Sequence, residues 1–164
     1  MDAIKAMKER VSVRKYEDKP IPREVLEEIV DCGRLAPTGR NAQGWTFVVM
    51  TERESLAKLA ELLPHGRFIA GAGAGILVFC ARDTLCQVED ACAATENIII
   101  AGEAHGVGSC WINSYRKAHS AAVGEMVGCP AETELVTILS MGYPAERTRR
   151  PKKELGEVLR WERF

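Results

Sequence analysis

The chain has no surplus of charge of either sign: 22 Lys and Arg stand against 23 Asp and Glu, a formal net charge of −1. Nucleic-acid binding is driven by phosphate neutralisation over a basic surface, so this balance points away from a nucleic-acid partner. Long apolar runs are missing too. None approaches the ~20 residues of a membrane-spanning helix, and Met1–Arg10 is a charged amphipathic stretch with no apolar core of a signal peptide. The expectation is a cytoplasmic protein with no membrane partner. There are six cysteines, Cys32, Cys80, Cys86, Cys92, Cys110 and Cys129, but no C-x-x-C pair of the kind structural zinc sites use. The six-residue spacing of Cys80, Cys86 and Cys92 does not suit an iron–sulfur cluster. Cys80 and Cys110 sit inside apolar runs and read as buried small hydrophobes; reduced thiols are expected throughout. Repeats, low-complexity tracts and linkers are absent as well. A chain of 164 residues is one domain's worth, able to bury about 70% of its unfolded surface.

What is present is an alternation of helix and strand signals. Ile4–Glu9 is amphipathic, and Pro22 opens a helix with Val25, Leu26, Ile29 and Val30 on one face, ending near Leu35. Thr46–Met50 is an apolar run. Thr51 and Glu54 form a capping box that starts a helix running through Leu56, Leu59 and Leu63. Ile76–Ala81 reads as a strand, Val88–His105 as a long helix stopped by Gly106, and Ser109–Ile112 and Leu135–Met141 as strands around a helix at Ala118–Val127. The long helix is apolar nearly all round, with Ala91, Cys92, Thr95 and Gly102 near Ile98 and Ile99. Such a helix is central, and in so short a chain a second subunit can supply the missing neighbours. The tail Glu154–Phe164 carries Leu155, Val158, Leu159, Trp161 and Phe164. It either packs on its own domain or embraces a partner.

Three polar clusters carry the chemistry. Leu35–Trp45 reads L-A-P-T-G-R-N-A-Q-G-W, a turn that offers backbone N–H groups and amide side chains to a planar polar ligand. Pro, Gly and Asn also form turns for conformational reasons alone. Arg10, Ser12 and Arg14 alternate. They are either a solvated basic face or an extended row whose side chains share one side and grip a phosphate. Arg147-Thr148-Arg149-Arg150-Pro151-Lys152-Lys153 follows the last strand. Together these clusters suggest a phosphorylated cofactor. Gly71-Ala72-Gly73-Ala74-Gly75 is not a dinucleotide fingerprint, because it precedes a strand where the fingerprint follows one.

R-x-S-x-R at Arg10–Arg14, A-P-T-x-x-N-x-Q-x-W at Ala36–Trp45, a D-x-x-A-A/C-type helix ending in G-V-G-S-C-W-I at Gly106–Ile112, and Met141-Gly142-Tyr143-Pro144 occur in this order over nearly the whole chain. In this the chain resembles the FMN-dependent nitroreductase superfamily. The resemblance implies an α+β fold, a central mixed β-sheet flanked by helices, and a homodimer with two FMN sites at its interface. It further implies that NADH or NADPH reduces FMN at N5 and gives way to a small-molecule electron acceptor, such as a nitro compound or quinone, in a ping-pong sequence. Arg10 and Ser12 would serve the phosphate end, and Arg14 would sit near flavin N1 and O2, where a cation stabilises the reduced ring. Pro37, Thr38, Gly39 and Asn41 would line the flavin of the opposite subunit. Asn113 and Ser114 would present backbone N–H to N5. Arg150 and Lys152 best match the phosphate-binding offsets, with Arg147 and Arg149 as competitors.

Two departures stand out. Gly44 replaces the usual Pro, so a looser turn is expected, and only Arg82–Gln87 separates the strand from the long helix, which leaves no lid there. Gln43 is either a ligand or a structural hydrogen-bonder. His65, His105 and His119 are scattered, with no triad, metal motif or paired carboxylates beside them. That suits a site in which the cofactor carries the chemistry and no side chain has an essential catalytic role. A flavin-consuming or reductively dehalogenating relative, or a non-enzymatic FMN-binding redox sensor, would share the same cofactor motifs.

Overall fold

Strand-length apolar runs bounded by turn residues give four strands, β1 (Trp45–Met50), β2 (Ala74–Ala81), β3 (Gly108–Asn113) and β4 (Thr133–Gly142). In the computed structural model, which describes residues 2–164, they form one sheet in the order β1-β2-β4-β3. All three ladders are antiparallel. The parallel component expected of a mixed sheet is a single bridge, Ser12 to Ser109, on edge strand β3. The N-terminal segment is extended for too few residues to build a longer ladder.

Helices cover both faces, which is why seven of the eight residues of β2 are buried. On one face α2 (Arg23–Arg34) and α4 (Gln87–Ala104) pack Leu26, Ile29, Ile98 and Ile99 onto Ile76, Val78, Val136, Leu139 and Met141. On the other, α3 (Arg53–Leu62) and α5 (Ser120–Met126) bring Leu56, Leu59 and Val123 to Leu77, Phe79, Leu135 and Ile138. Along β2 the two cores alternate with the period of two that a pleated strand imposes. Leu135 and Ile138 share a core at odd spacing because a bulge opposite Val78 and Phe79 shifts the register.

Several local signals act as read. Asp2 caps α1 (Ala3–Glu9), its carboxylate accepting the Lys5 N–H at 3.0 Å. Gly106, at φ +75°, ends α4, with Val107 N–H donating to Gly102 O at 2.8 Å and Gly106 N–H to Glu103 O at 3.0 Å. The Thr51–Glu54 capping box does not form. Helix α3 starts one residue later, with Glu52 at the cap and no side-chain cap bond, its carbonyl accepting the Leu56 N–H at 3.0 Å.

Helix α4 buries most of its surface, but Glu89 and Glu96 are exposed and Cys92, Ala93 and Ile100 only partly covered. The tail, with its short helix α6 (Leu155–Val158), does not pack on its own domain: Leu155 and Trp161 are 68% and 78% exposed. No described helix is long and apolar enough to cross a membrane.

Candidate functional site

The 10–14 segment is extended, as its alternation requires. Arg10 closes α1 through its N–H to Ala6 O at 2.9 Å. Val13 is buried and donates its N–H to Ser109 O at 2.8 Å, leaving Ser12 and Arg14 exposed on either side of it. Tyr16 locks the segment from beneath: its hydroxyl donates to Val13 O at 2.6 Å and pairs with Ser140 Oγ at 2.7 Å. Burial pushes that phenol well above its ordinary value, so it stays neutral.

Arg10, Ser12 and Arg14 line a cavity of about 460 Å³ together with Lys8, Thr148, Arg149, Arg150 and Lys152. Cations separated by some 135 residues of sequence thus share one concavity, and no carboxylate lines it. The C-terminal cations separate into roles. Arg147 turns away to pair with the buried Glu103 at 2.6 Å. Arg149 donates to Lys8 O at 2.5 Å and so builds the wall. Arg150 and Lys152 have no ion-pair partner among the described residues. The Arg10 Nε–H is buried without a hydrogen-bond partner. An unsatisfied guanidinium N–H is costly, and an anion in the cavity would supply its acceptor.

A second cavity, also about 460 Å³, shares Arg14 as a wall. Its lining is apolar and aromatic: Leu63, Pro64, His65, Phe68 and Cys110–Asn113, with Lys117 and His119 at the rim. The Arg14 guanidinium lies 5.8 Å from the Phe68 ring centroid. Asn113 is exposed at the end of β3. Ser114 is fully buried and lines neither cavity; its hydroxyl is committed to Ile112 O and His119 Nε2, both at 3.2 Å, and its carbonyl accepts from the Lys117 N–H at 3.2 Å and from the Ser120 hydroxyl. Burial, helped by Lys117, pushes the His119 imidazole below its ordinary value. Burial also raises the Cys110 thiol against the opposing pull of Arg14, Arg10 and Ser12, which argues against a reactive thiolate.

Pro37, Thr38, Gly39 and Asn41 line neither cavity. They follow the C-terminal end of α2, where Gly39–Asn41 form a 3₁₀ turn with Arg40 and Asn41 at φ near +55°. Gln43 serves this turn, its N–H donating to Thr38 Oγ1 at 3.3 Å and its amide to Asn41 O at 3.4 Å. The turn is not looser for having Gly44. Thr84 Oγ1 and Cys80 Sγ stand where a Cβ at that position would be, and Gly44 O accepts the Ala81 N–H at 2.8 Å.

A basic cavity and an aromatic one on either side of one arginine suit an elongated ligand with an anionic end and a planar end. The description Nitroreductase family matches the chain over residues 7–67 and 64–143. The chain belongs to that family. It is 36% identical over 152 residues, 88% of this chain and 87% of the other, to an Archaeoglobus fulgidus protein provisionally named NADH dehydrogenase/NAD(P)H nitroreductase. Among solved structures, an FMN-dependent nitroreductase from Clostridium difficile superposes with a TM-score of 0.92 at 25% identity, covering 98% of this chain and 99% of that one. A provisionally named nitroreductase of Desulfovibrio desulfuricans in complex with FMN gives 0.84 at 25% identity, covering 100% and 98%.

In this member of the family, sequence reasoning missed Lys8, His65, Phe68, Lys117 and His119 as cavity walls. Only Phe68 left a signal, as the one aromatic residue between Pro64 and the glycine-rich stretch that follows. The others have no spacing that distinguishes them from solvated polar residues.

Proposed function

We propose that the protein is an FMN-dependent oxidoreductase that draws electrons from NADH or NADPH and delivers them to a small organic acceptor, a nitro compound, quinone or similar. The observation that carries this reading is the convergence of the 10–14 and 148–152 segments on one carboxylate-free cavity that shares Arg14 as a wall with the aromatic one. When bound, FMN supplies the two-electron exchange between donor and acceptor.

The chain's own residues bind and orient. Arg10, Ser12, Arg150 and Lys152 hold the phosphate, with the Arg10 Nε–H gaining the acceptor it lacks. Arg14, between the two cavities, places a positive charge at the pyrimidine edge, where it favours the anionic reduced cofactor. Asn113, which lines the aromatic cavity, and the buried Ser114 behind it would serve the ring edge through the backbone, held in shape by the Ser114–His119 hydrogen bond. No side chain is assigned an acid or base role. Only residues 82–86 link β2 to α4, so the acceptor side has no lid at that place and should admit varied small molecules.

The working unit is a homodimer. Residues 37–41, which line neither cavity of their own subunit, would complete the site of a second copy. The exposed apolar tail needs a surface, and β1 offers an unpaired sheet edge beside a groove of about 720 Å³ against α2, where Ile21, Leu26, Val30 and Val49 are joined by the charged Arg23, Glu27, Asp31 and Arg34. Steady-state kinetics with NADH or NADPH and a quinone test the reading. Parallel double-reciprocal lines, meaning that the oxidised nucleotide leaves before the acceptor reacts, are expected; intersecting lines would contradict the ping-pong sequence.

A further inference from the structure

The helix motif that begins D-x-x-A-A/C supplies a residue the binding reading does not use, Asp90 in the first turn of α4. Its side chain is 4% exposed. Oδ1 accepts the Gly39 N–H at 3.0 Å, while Oδ2 is buried with no hydrogen-bond partner. Among the described residues, this bond is the hydrogen bond that ties residues 37–43 to another element; the others there, such as Asn41 N–H to Thr38 O and Ala42 N–H to Gly39 O, lie inside the turn. The turn needs such a tie, since Arg40 and Asn41 hold left-handed conformations, which persist only where surrounding contacts offset their cost. The approach is also close: a Cβ at Gly39 would lie 2.9 Å from Cys86 Sγ, the cap of α4.

We propose that Asp90 is a positioning residue for the cofactor site of the opposite subunit. By gripping the Gly39 N–H it seats residues 37–41 on the end of α4 in the shape that a second copy's FMN meets. An asparagine would satisfy the same N–H without burying a charge. The carboxylate makes the tie a charge-assisted bond, roughly twice as strong as a neutral one, at a helix end whose dipole favours negative charge. This rests on the shared FMN site proposed above.

Trans-complementation tests it. FMN affinity is measured by fluorescence quenching for wild type, D90A, D90N and the phosphate-defective R150A/K152A protein. The same titration is then run on mixed dimers of D90A with R150A/K152A, isolated by two different tags. We expect D90A to lose about tenfold or more in affinity and D90N to lose less. In the mixed dimer one site combines an intact phosphate cavity from the D90A subunit with an intact turn from the other. Half of the sites should therefore bind FMN with wild-type affinity. Damage confined to a subunit's own fold would not be repaired in this way. D90A binding within twofold of wild type, or a mixed dimer with no restored site while wild type binds FMN, overturns the assignment to Asp90. Wild-type protein that takes up no FMN overturns the cofactor reading and this proposal with it.

Discussion

Arg10→Ala is the substitution that probes the anion cavity most sharply. Its guanidinium Nε–H is buried and unpaired in the free chain, so removing it costs no existing side-chain bond, and the backbone N–H that closes α1 is untouched. Folding stability should hardly fall. Binding should suffer, because hydrogen bonds to charged groups contribute about 1.5–3 kcal/mol. At ~1.4 kcal/mol per tenfold, that is roughly a 10- to 150-fold rise in the Kd for FMN. Arg10→Lys keeps the charge without the planar fork and should fall between wild type and alanine. Lys15→Ala is the control. It removes an equal charge close by on the same segment, but Lys15 faces Glu146 at 2.9 Å in an exposed pair and lines neither cavity. Exposed pairs contribute about 0–1 kcal/mol to stability, and the Kd should hardly move. Fluorescence quenching of FMN at fixed ionic strength reads all three variants. An Arg10→Ala Kd within threefold of wild type, or an equal loss in Lys15→Ala, would refute the phosphate assignment.

Three further outcomes follow from the structure. The His119 imidazole is held below its ordinary value of 6.5, so the unfolded chain takes up the proton first as pH falls. Stability is therefore full above about pH 6.5 and declines below it; His119→Gln should flatten that decline in urea midpoints compared at pH 7 and 5.5. Deleting residues 154–164 removes exposed apolar surface without touching either core, so melting of the single chain should be little changed. Light scattering should show monomers where full-length protein gives dimers; a dimer that survives the deletion would count against the tail's role. Leu139→Ala empties a fully buried position on β4 and should cost about 2–5 kcal/mol in denaturant unfolding, whereas a loss below about 1 kcal/mol would contradict the packing described.

The fold was legible where burial dictates pattern. The apolar runs at β2, β3 and β4, the stripe of α2 and the glycine stop of α4 all appear within a few residues of where periodicity puts them. Caps were less so: with Thr51, Glu52 and Glu54 in succession, the sequence permits a start at either of two residues, and the strand end sets it at Glu52. The alternation at residues 10–14 forecast an extended row, but its convergence with Arg150 and Lys152 depends on β4 returning beside β3, which no local pattern encodes. Residues 37–41 carried a recognisable motif, yet in one chain they line neither cavity; the proposed role in the site of a second copy would lie across a surface that a single sequence does not describe. The tail shows the same limit. Its apolar residues forecast burial correctly only if a second copy provides the surface.

The measurement that tests the central claim most directly is an absorbance spectrum of purified protein loaded with FMN, taken before and after anaerobic addition of NADH or NADPH. A bound flavin band that bleaches with at least one nucleotide, at one FMN per subunit, is the predicted result. A protein that stays colourless after incubation with FMN would contradict the account at its root, and one that binds FMN but bleaches with neither nucleotide would remove the oxidoreductase conclusion.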